Sequence, residues 1–188
     1  MKTTTLLTAL LIALPATAQD LPDLTAKTKQ AVLPVVPKVV GAMQEAVAAQ
    51  GVAGAIPVCK ELAPNLIEEK RRETGWDIRR VSLKARNPGR ATPDAWEVRQ
   101  LADFNIRAAN GEKPETLEKG EIVQIDGKPV FRYIKALPTA EVCLKCHGPS
   151  ETLDAGLKAK LTESYPHDQA TGYSKGEIRG GLTVKRPL

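Results

Sequence analysis

Aromatic side chains are scarce in this sequence: two Trp, three Tyr and two Phe among 188 residues. The shortage leaves room for a large apolar cofactor to supply burial, although Leu, Val, Ile and Ala can build a core alone. Cysteine and histidine are rarer still, at three and two residues, so any metal or covalent chemistry has few donors to draw on. There is a single Cys-x-x-Cys, which excludes a zinc site built from two such pairs. A large charge of one sign is also missing. The formal net charge of +5 falls to +4 if Lys2 is removed with an N-terminal leader. The densest basic stretch, RRETGWDIRR, is diluted by Glu73 and Asp77. That pattern is a solvated surface or a docking face for an acidic partner and gives no nucleic-acid footprint.

No unbroken apolar run after residue 18 approaches the length of a spanning helix, so no membrane span is expected. What stands at the N-terminus is MKTTTLLTALLIALPATAQD: one Lys, an apolar run from Leu6 to Leu14, and the small-x-small site Ala16-Thr17-Ala18. Those three parts in that order read as a secretory signal peptide over residues 1–18, cleaved near Ala18. The expectation is an exported, periplasmic chain forming one domain over residues 19–188.

Helical spacing runs through residues 22–50, with a break or kink expected at Pro34 and Pro37. Gly51 to Gly54 should form a joint, and a second helix should run from Ala55 to Lys70 with Pro57 in its first turn and a bend at Pro64. WDIRRVSLKA, Trp76 to Ala85, reads as a strand ended by Asn87-Pro88-Gly89. Thr92-Pro93 reads as a helix start, followed by the apolar stripe Val98, Leu101, Ala102, Ile106 and Ala109 and stopped by Asn110-Gly111. EIVQID and KPVFRYIKA flank Asp126-Gly127, a hairpin signal. Thr139 is the expected cap of a short helix closed by Gly148-Pro149, and a helix near Leu153 to Leu161 and a strand near Glu177 to Lys185 complete the chain. Helices first, then strands joined by a hairpin and mixed with helices, indicate an α+β domain with an antiparallel sheet.

The chemistry is concentrated in EVCLKCHG, where Cys143, Cys146 and His147 spell Cys-x-x-Cys-His, the attachment motif for c-type haem. Covalent attachment needs two thiols reaching the two vinyl groups and an imidazole reaching the iron. At positions i, i+3 and i+4 of a helical turn the three side chains share one face, as that geometry requires. The competing readings are a zinc site assembled from Cys59, Cys143, Cys146 and His147 or His167, and a dithiol redox pair.

If His147 fills one axial position, the candidates for the other are Met43, His167 and Cys59, with Lys as an outsider. A Met in a run of Ala, Val and Gln is usually core filling. Cys59 has no free thiol partner once Cys143 and Cys146 carry the haem. It also lies at the expected first turn of a helix, where the dipole and free amides favour the thiolate that ligates iron. Arg72, Arg79, Arg80, Arg132, Tyr133 and Tyr173 are candidates for the haem propionates by residue type.

AIPVCKELAP around Cys59, GWDIRRVSLKARNP, the Pro93-Asp94-Ala95-Trp96-Glu97 helix start, CLKCHG and the C-terminal YPHDQATGYSKGEIRGGLTVKRPL together resemble one family: the bacterial single-haem c-type cytochromes with a PAS-like fold, long counted as a domain of unknown function. The resemblance covers most of the mature chain. It implies a PAS-like antiparallel sheet flanked by helices, thioethers at Cys143 and Cys146, and axial ligands His147 and Cys59. It also implies redox or ligand sensing or electron transfer. A thiolate ligand would favour ferric iron and a low potential, its release would admit a small gas, and any signal or electron would pass to a separate redox or signalling protein; with both axial positions filled, the reading leans away from an enzyme.

Overall fold

The structure, a computed structural model, describes residues 20–188. The expected signal peptide lies outside the described residues. Two helices open the chain, α1 (Leu21–Val32) and α2 (Val35–Gly54). The break between them falls at Leu33 and Pro34, because neither Pro34 nor Pro37 has an N–H to continue the helical ladder. Together Leu21–Gly54 is long and apolar enough, with a mean hydropathy of 1.3 in its most apolar window, to cross a membrane by length and composition alone. The break divides the segment, and α1 buries Leu24, Thr28 and Val32.

Gly51, at φ 74°, kinks the end of α2 in a conformation that only glycine adopts freely. Helical structure resumes at Ile56, and Val58–Leu62 forms one π-helical turn that carries Cys59. Pro64 supplies the cause: it cannot donate to the carbonyl of Lys60, and the Ala63 amide bonds to the Val58 carbonyl five residues back. The helix α3 (Ala63–Thr74) follows and ends at Gly75 in the left-handed region. The bend expected at Pro64 is therefore a widened turn before it.

Four strands, β1 (Asp77–Val81), β2 (Glu118–Ile125), β3 (Lys128–Pro138) and β4 (Ile178–Pro187), form one antiparallel sheet in the order β1-β4-β3-β2. The fold is α+β, as expected. Asp126 (φ 51°) and Gly127 (φ 73°) make the β2–β3 hairpin turn, whose two positive φ values match the twist of the strands. On one face of the sheet, Ile78, Phe131, Tyr133, Leu182 and Val184 pack with Leu24 and Val32 of α1. On the other face, Val81, Ile134 and Ala136 pack with Trp96, Leu101 and Phe104.

Three local expectations are corrected. The first strand stops at Val81 and does not reach Ala85. Beyond it the Ser82 amide donates to the Ala91 carbonyl and the Ser82 hydroxyl bonds the Arg179 carbonyl, so the chain turns out of the sheet. At that point Gly180 lies so close that a Cβ would meet the Val81 oxygen at 2.2 Å. The helix α5 (Ala95–Ala109), which follows the one-turn α4 (Pro88–Ala91), is capped by Asp94 and not by Thr92. The Asp94 carboxylate accepts from the Trp96 and Glu97 amides while Glu97 accepts from the Asp94 amide, a reciprocal capping box. That cap turns Trp96, Glu97, Leu101 and Phe104 inward and leaves Val98 and Ile106 of the expected stripe exposed.

Candidate cofactor site

The helix α6 (Glu141–His147) carries the Cys-x-x-Cys-His motif. Its cap residue is Ala140, not Thr139: the Thr139 hydroxyl and amide both donate to the Glu177 carbonyl, which ties the start of α6 to the approach to β4. Gly148 ends the helix with its amide on the Leu144 carbonyl at 2.8 Å. The returning chain then pins this end, since Gly172 and Tyr173 donate to the Gly148 and His147 carbonyls. Helix α7 (Ala155–Ser164), capped by Asp154, packs Leu157 and Leu161 against Val52, Ala53 and Ile56, so the Gly51 kink and α6 share one apolar cluster that also includes Cys146.

Between α2, the π turn, α6 and α7 lies a narrow cleft. Met43, Cys59, Cys143, Cys146 and His147 all line it, although 84 residues separate Cys59 from Cys143 in sequence (143 − 59). Val47, Ile56 and Leu161 supply apolar wall. Cys59 is exposed and the two motif cysteines are half-buried, all three as free thiols. Burial raises the Cys146 thiol above its ordinary range, with the Arg86 charge opposing. His167 does not line the cleft and sits exposed in the loop after α7.

The His147 ring is oriented through one nitrogen. Its Nδ1 lies 2.6 Å from the Ala170 carbonyl oxygen. A carbonyl only accepts, so Nδ1 carries the proton and Nε2 keeps its lone pair for a ligand. Arg179 Nε approaches the same Nδ1 at 3.2 Å, a donor facing a donor in this tautomer. Burial first, then the charges of Arg179 and Arg86, hold the imidazole well below its ordinary range. The ring is thus neutral at neutral pH, the form that binds metal. Arg86 clamps the surroundings: Nη2 donates to the Cys146 carbonyl at 2.6 Å and to the Ala170 carbonyl at 3.3 Å, while Nε lies 3.0 Å from the Asp168 carboxylate.

Arg86, Asp168, Ala170 and Arg179 were not singled out by sequence reasoning. Ala170 acts through its backbone, and the others look like ordinary surface charges until the fold brings the loop at residues 165–173 back onto α6. The six candidates for an anionic group divide. Arg79 and Arg132 are bound to Glu97, Tyr133 donates to Glu118, and Arg72 is exposed on α3. Arg80 shares the sheet face of Ile78, and Tyr173 stands edge-on to His147 with ring centres 6.4 Å apart. Among the described residues no three Cys, His, Asp or Glu side chains are gathered closely enough to hold one metal ion. A zinc site needs four such donors within bonding reach, so this geometry argues against that reading.

The profile of the Tll0287-like family matches residues 13–187. The chain belongs to the Tll0287-like family. Its fold is similar to that of the cyanobacterial heme-protein Tll0287, with a TM-score of 0.66 and 23% identity over 89% of this chain and 96% of that one. No curated protein matches it.

Proposed function

We propose that this member of the family is an exported, periplasmic haem protein with one haem c, held by thioethers from Cys143 and Cys146 and ligated axially by His147 and Cys59. The observation that carries the reading is that these four side chains, drawn from two distant stretches of sequence, line one apolar cleft beside an imidazole whose Nε2 is free. The similar cyanobacterial protein is a heme-protein, which supports the reading. The residues present fit the group: two thiols and an imidazole on one helical face, and an exposed thiol on the opposite element. When bound there, the haem supplies a one-electron couple whose potential a thiolate ligand lowers.

The residues of this chain divide the remaining work. Ala170 fixes the His147 tautomer, a hydrogen bond that also raises ligand basicity. Arg86 and Asp168 hold the loop that presents Ala170. Val47, Ile56 and Leu161 keep water from the cleft wall. Cys59 is the least enclosed of the four, on a π turn next to the Gly51 kink, so it is the ligand able to withdraw. Withdrawal would convert a redox change or the arrival of a small gas such as nitric oxide into movement of that turn, read by a separate signalling protein. The second reading, a low-potential electron carrier, keeps Cys59 in place and requires no rearrangement.

Expression alongside the c-type haem maturation machinery tests the reading. The denatured protein should retain one haem by mass, Cys143→Ala with Cys146→Ala should abolish that attachment, and the ferrous spectrum should show whether the thiolate stays. A colourless protein would overturn the proposal.

A further inference from the structure

Four cations converge on the His147 side of the cleft and bring one carboxylate with them. Arg179 is 3% exposed, donates from Nη1 to the Ser82 hydroxyl at 2.9 Å and the Lys84 carbonyl at 3.2 Å, and stacks its guanidinium 5.2 Å from the Tyr173 ring centre. Lys84 Nζ lies 4.5 Å over the same ring. Arg86 takes the one carboxylate, Asp168. Arg80 alternates with Arg79 along β1, so it leaves the sheet on the face opposite Glu97, near enough for its charge to act on Cys59 and Cys143, which line the cleft, and on Tyr173 beside His147.

Among the described residues, neither Arg80 nor Arg179 forms an ion pair with a carboxylate, whereas Arg79, Arg86 and Arg132 all do. Arg179 is taken out of water without an anion, which is costly, and half-buried Arg80 faces the same deficit more mildly; such sites are completed by something negative.

We propose that Arg80 and Arg179 receive the two propionate carboxylates of the haem. This rests on the haem reading above and adds to it the anion that the pair lacks. The dianionic edge of the porphyrin matches two unpaired cations in charge; Arg80 can offer two parallel donors to one carboxylate, and Arg179, with Nη1 committed to Ser82 and Lys84, offers Nη2 to the other. It also sets two opposed influences on the iron: thiolate ligation lowers the potential, while two nearby cations favour the added electron and raise it.

The test uses haem-loaded wild-type protein with Arg80→Gln, Arg179→Gln and the charge-keeping Arg80→Lys. The readouts are the resonance Raman bending band of the propionates and the midpoint potential followed against pH. In wild type the propionates should titrate below the ordinary carboxylic range. In either Gln variant the inflection should rise by about one pH unit or more, the propionate band should shift, and the potential at neutral pH should fall. Arg80→Lys should alter the band and keep most of the inflection. Unchanged band and inflection in haem-loaded Arg80→Gln and Arg179→Gln would overturn the assignment with the haem reading intact. If Arg179→Gln fails to fold, the Arg80→Gln result decides alone. Colourless wild-type protein would mark failure of the haem reading itself.

Discussion

On the α5 side of the sheet, Glu97 is fully buried and accepts from Arg79 at 2.9 Å, from Arg132 at 3.2 Å and from the Thr183 hydroxyl at 3.0 Å. Its neighbour Asp94 takes Arg132 at 2.9 Å and Lys185 at 3.1 Å. On the cleft side, Arg80, Arg86, Arg179 and Lys84 meet a single carboxylate, Asp168. The same sheet therefore carries one charge cluster that is complete within the chain and one that is short of anions. The complete cluster serves the fold, joining α5 to β1, β3 and β4 through one buried carboxylate. The incomplete one lies beside the residues that carry the candidate chemistry, and the proposal above assigns its missing partner to the haem.

The largest break in this contrast comes from Glu97→Ala. It strands two guanidinium groups and a hydroxyl in a buried site and should cost about 3–5 kcal/mol, read by chemical denaturation. A change of that size in Arg80→Gln haem-free protein would erase the distinction between the two sides.

Next is the response to acid. Burial alone would raise the Asp94 carboxyl, but hydrogen bonds from the Glu97 amide, Arg132 and Lys185 hold it well below the usual carboxylate range. A depressed folded-state value gives stability that is present above the unfolded value of about 3.9 and is lost as pH falls through the folded one. Unfolding free energy followed downward from pH 5 should therefore drop in wild type and drop less steeply in Asp94→Asn.

Cys59→Ala should change stability by less than about 0.5 kcal/mol, since the side chain is exposed. The haem should remain attached and the ferric thiolate signature should vanish. Retention of that signature would remove Cys59 from the site. The smallest spectroscopic effect is expected from Met43→Leu, a swap of similar volume that should leave the ferric spectrum unchanged. A changed spectrum would make Met43 a ligand and the cleft wall part of the chemistry.

Much of this was legible in the sequence because it is local. The hairpin at Asp126-Gly127 needs only two residues that tolerate positive φ, and the breaks around Pro34 and Pro64 follow from missing amides. The i, i+3, i+4 spacing places Cys143, Cys146 and His147 together without any tertiary information. The caps were misplaced where a hydroxyl had two possible uses: Thr139 was taken by the Glu177 carbonyl, and Asp94 outcompeted Thr92 through its reciprocal pair with Glu97. Arg79 and Arg80 could not be told apart as anion partners before the strand direction showed that one meets Glu97 and the other leaves on the opposite face. Arg86, Ala170 and Arg179 depend on contacts across 60, 23 and 32 residues, which no local pattern encodes.

The most direct measurement is the ferric optical and electron paramagnetic resonance spectrum of the exported, haem-loaded protein. Low-spin iron with thiolate charge-transfer bands, lost in Cys59→Ala and in His147→Ala alike, is the predicted result. A haem protein whose ferric spectrum carries no thiolate signature, or one that Cys59→Ala leaves unaltered, would contradict the account.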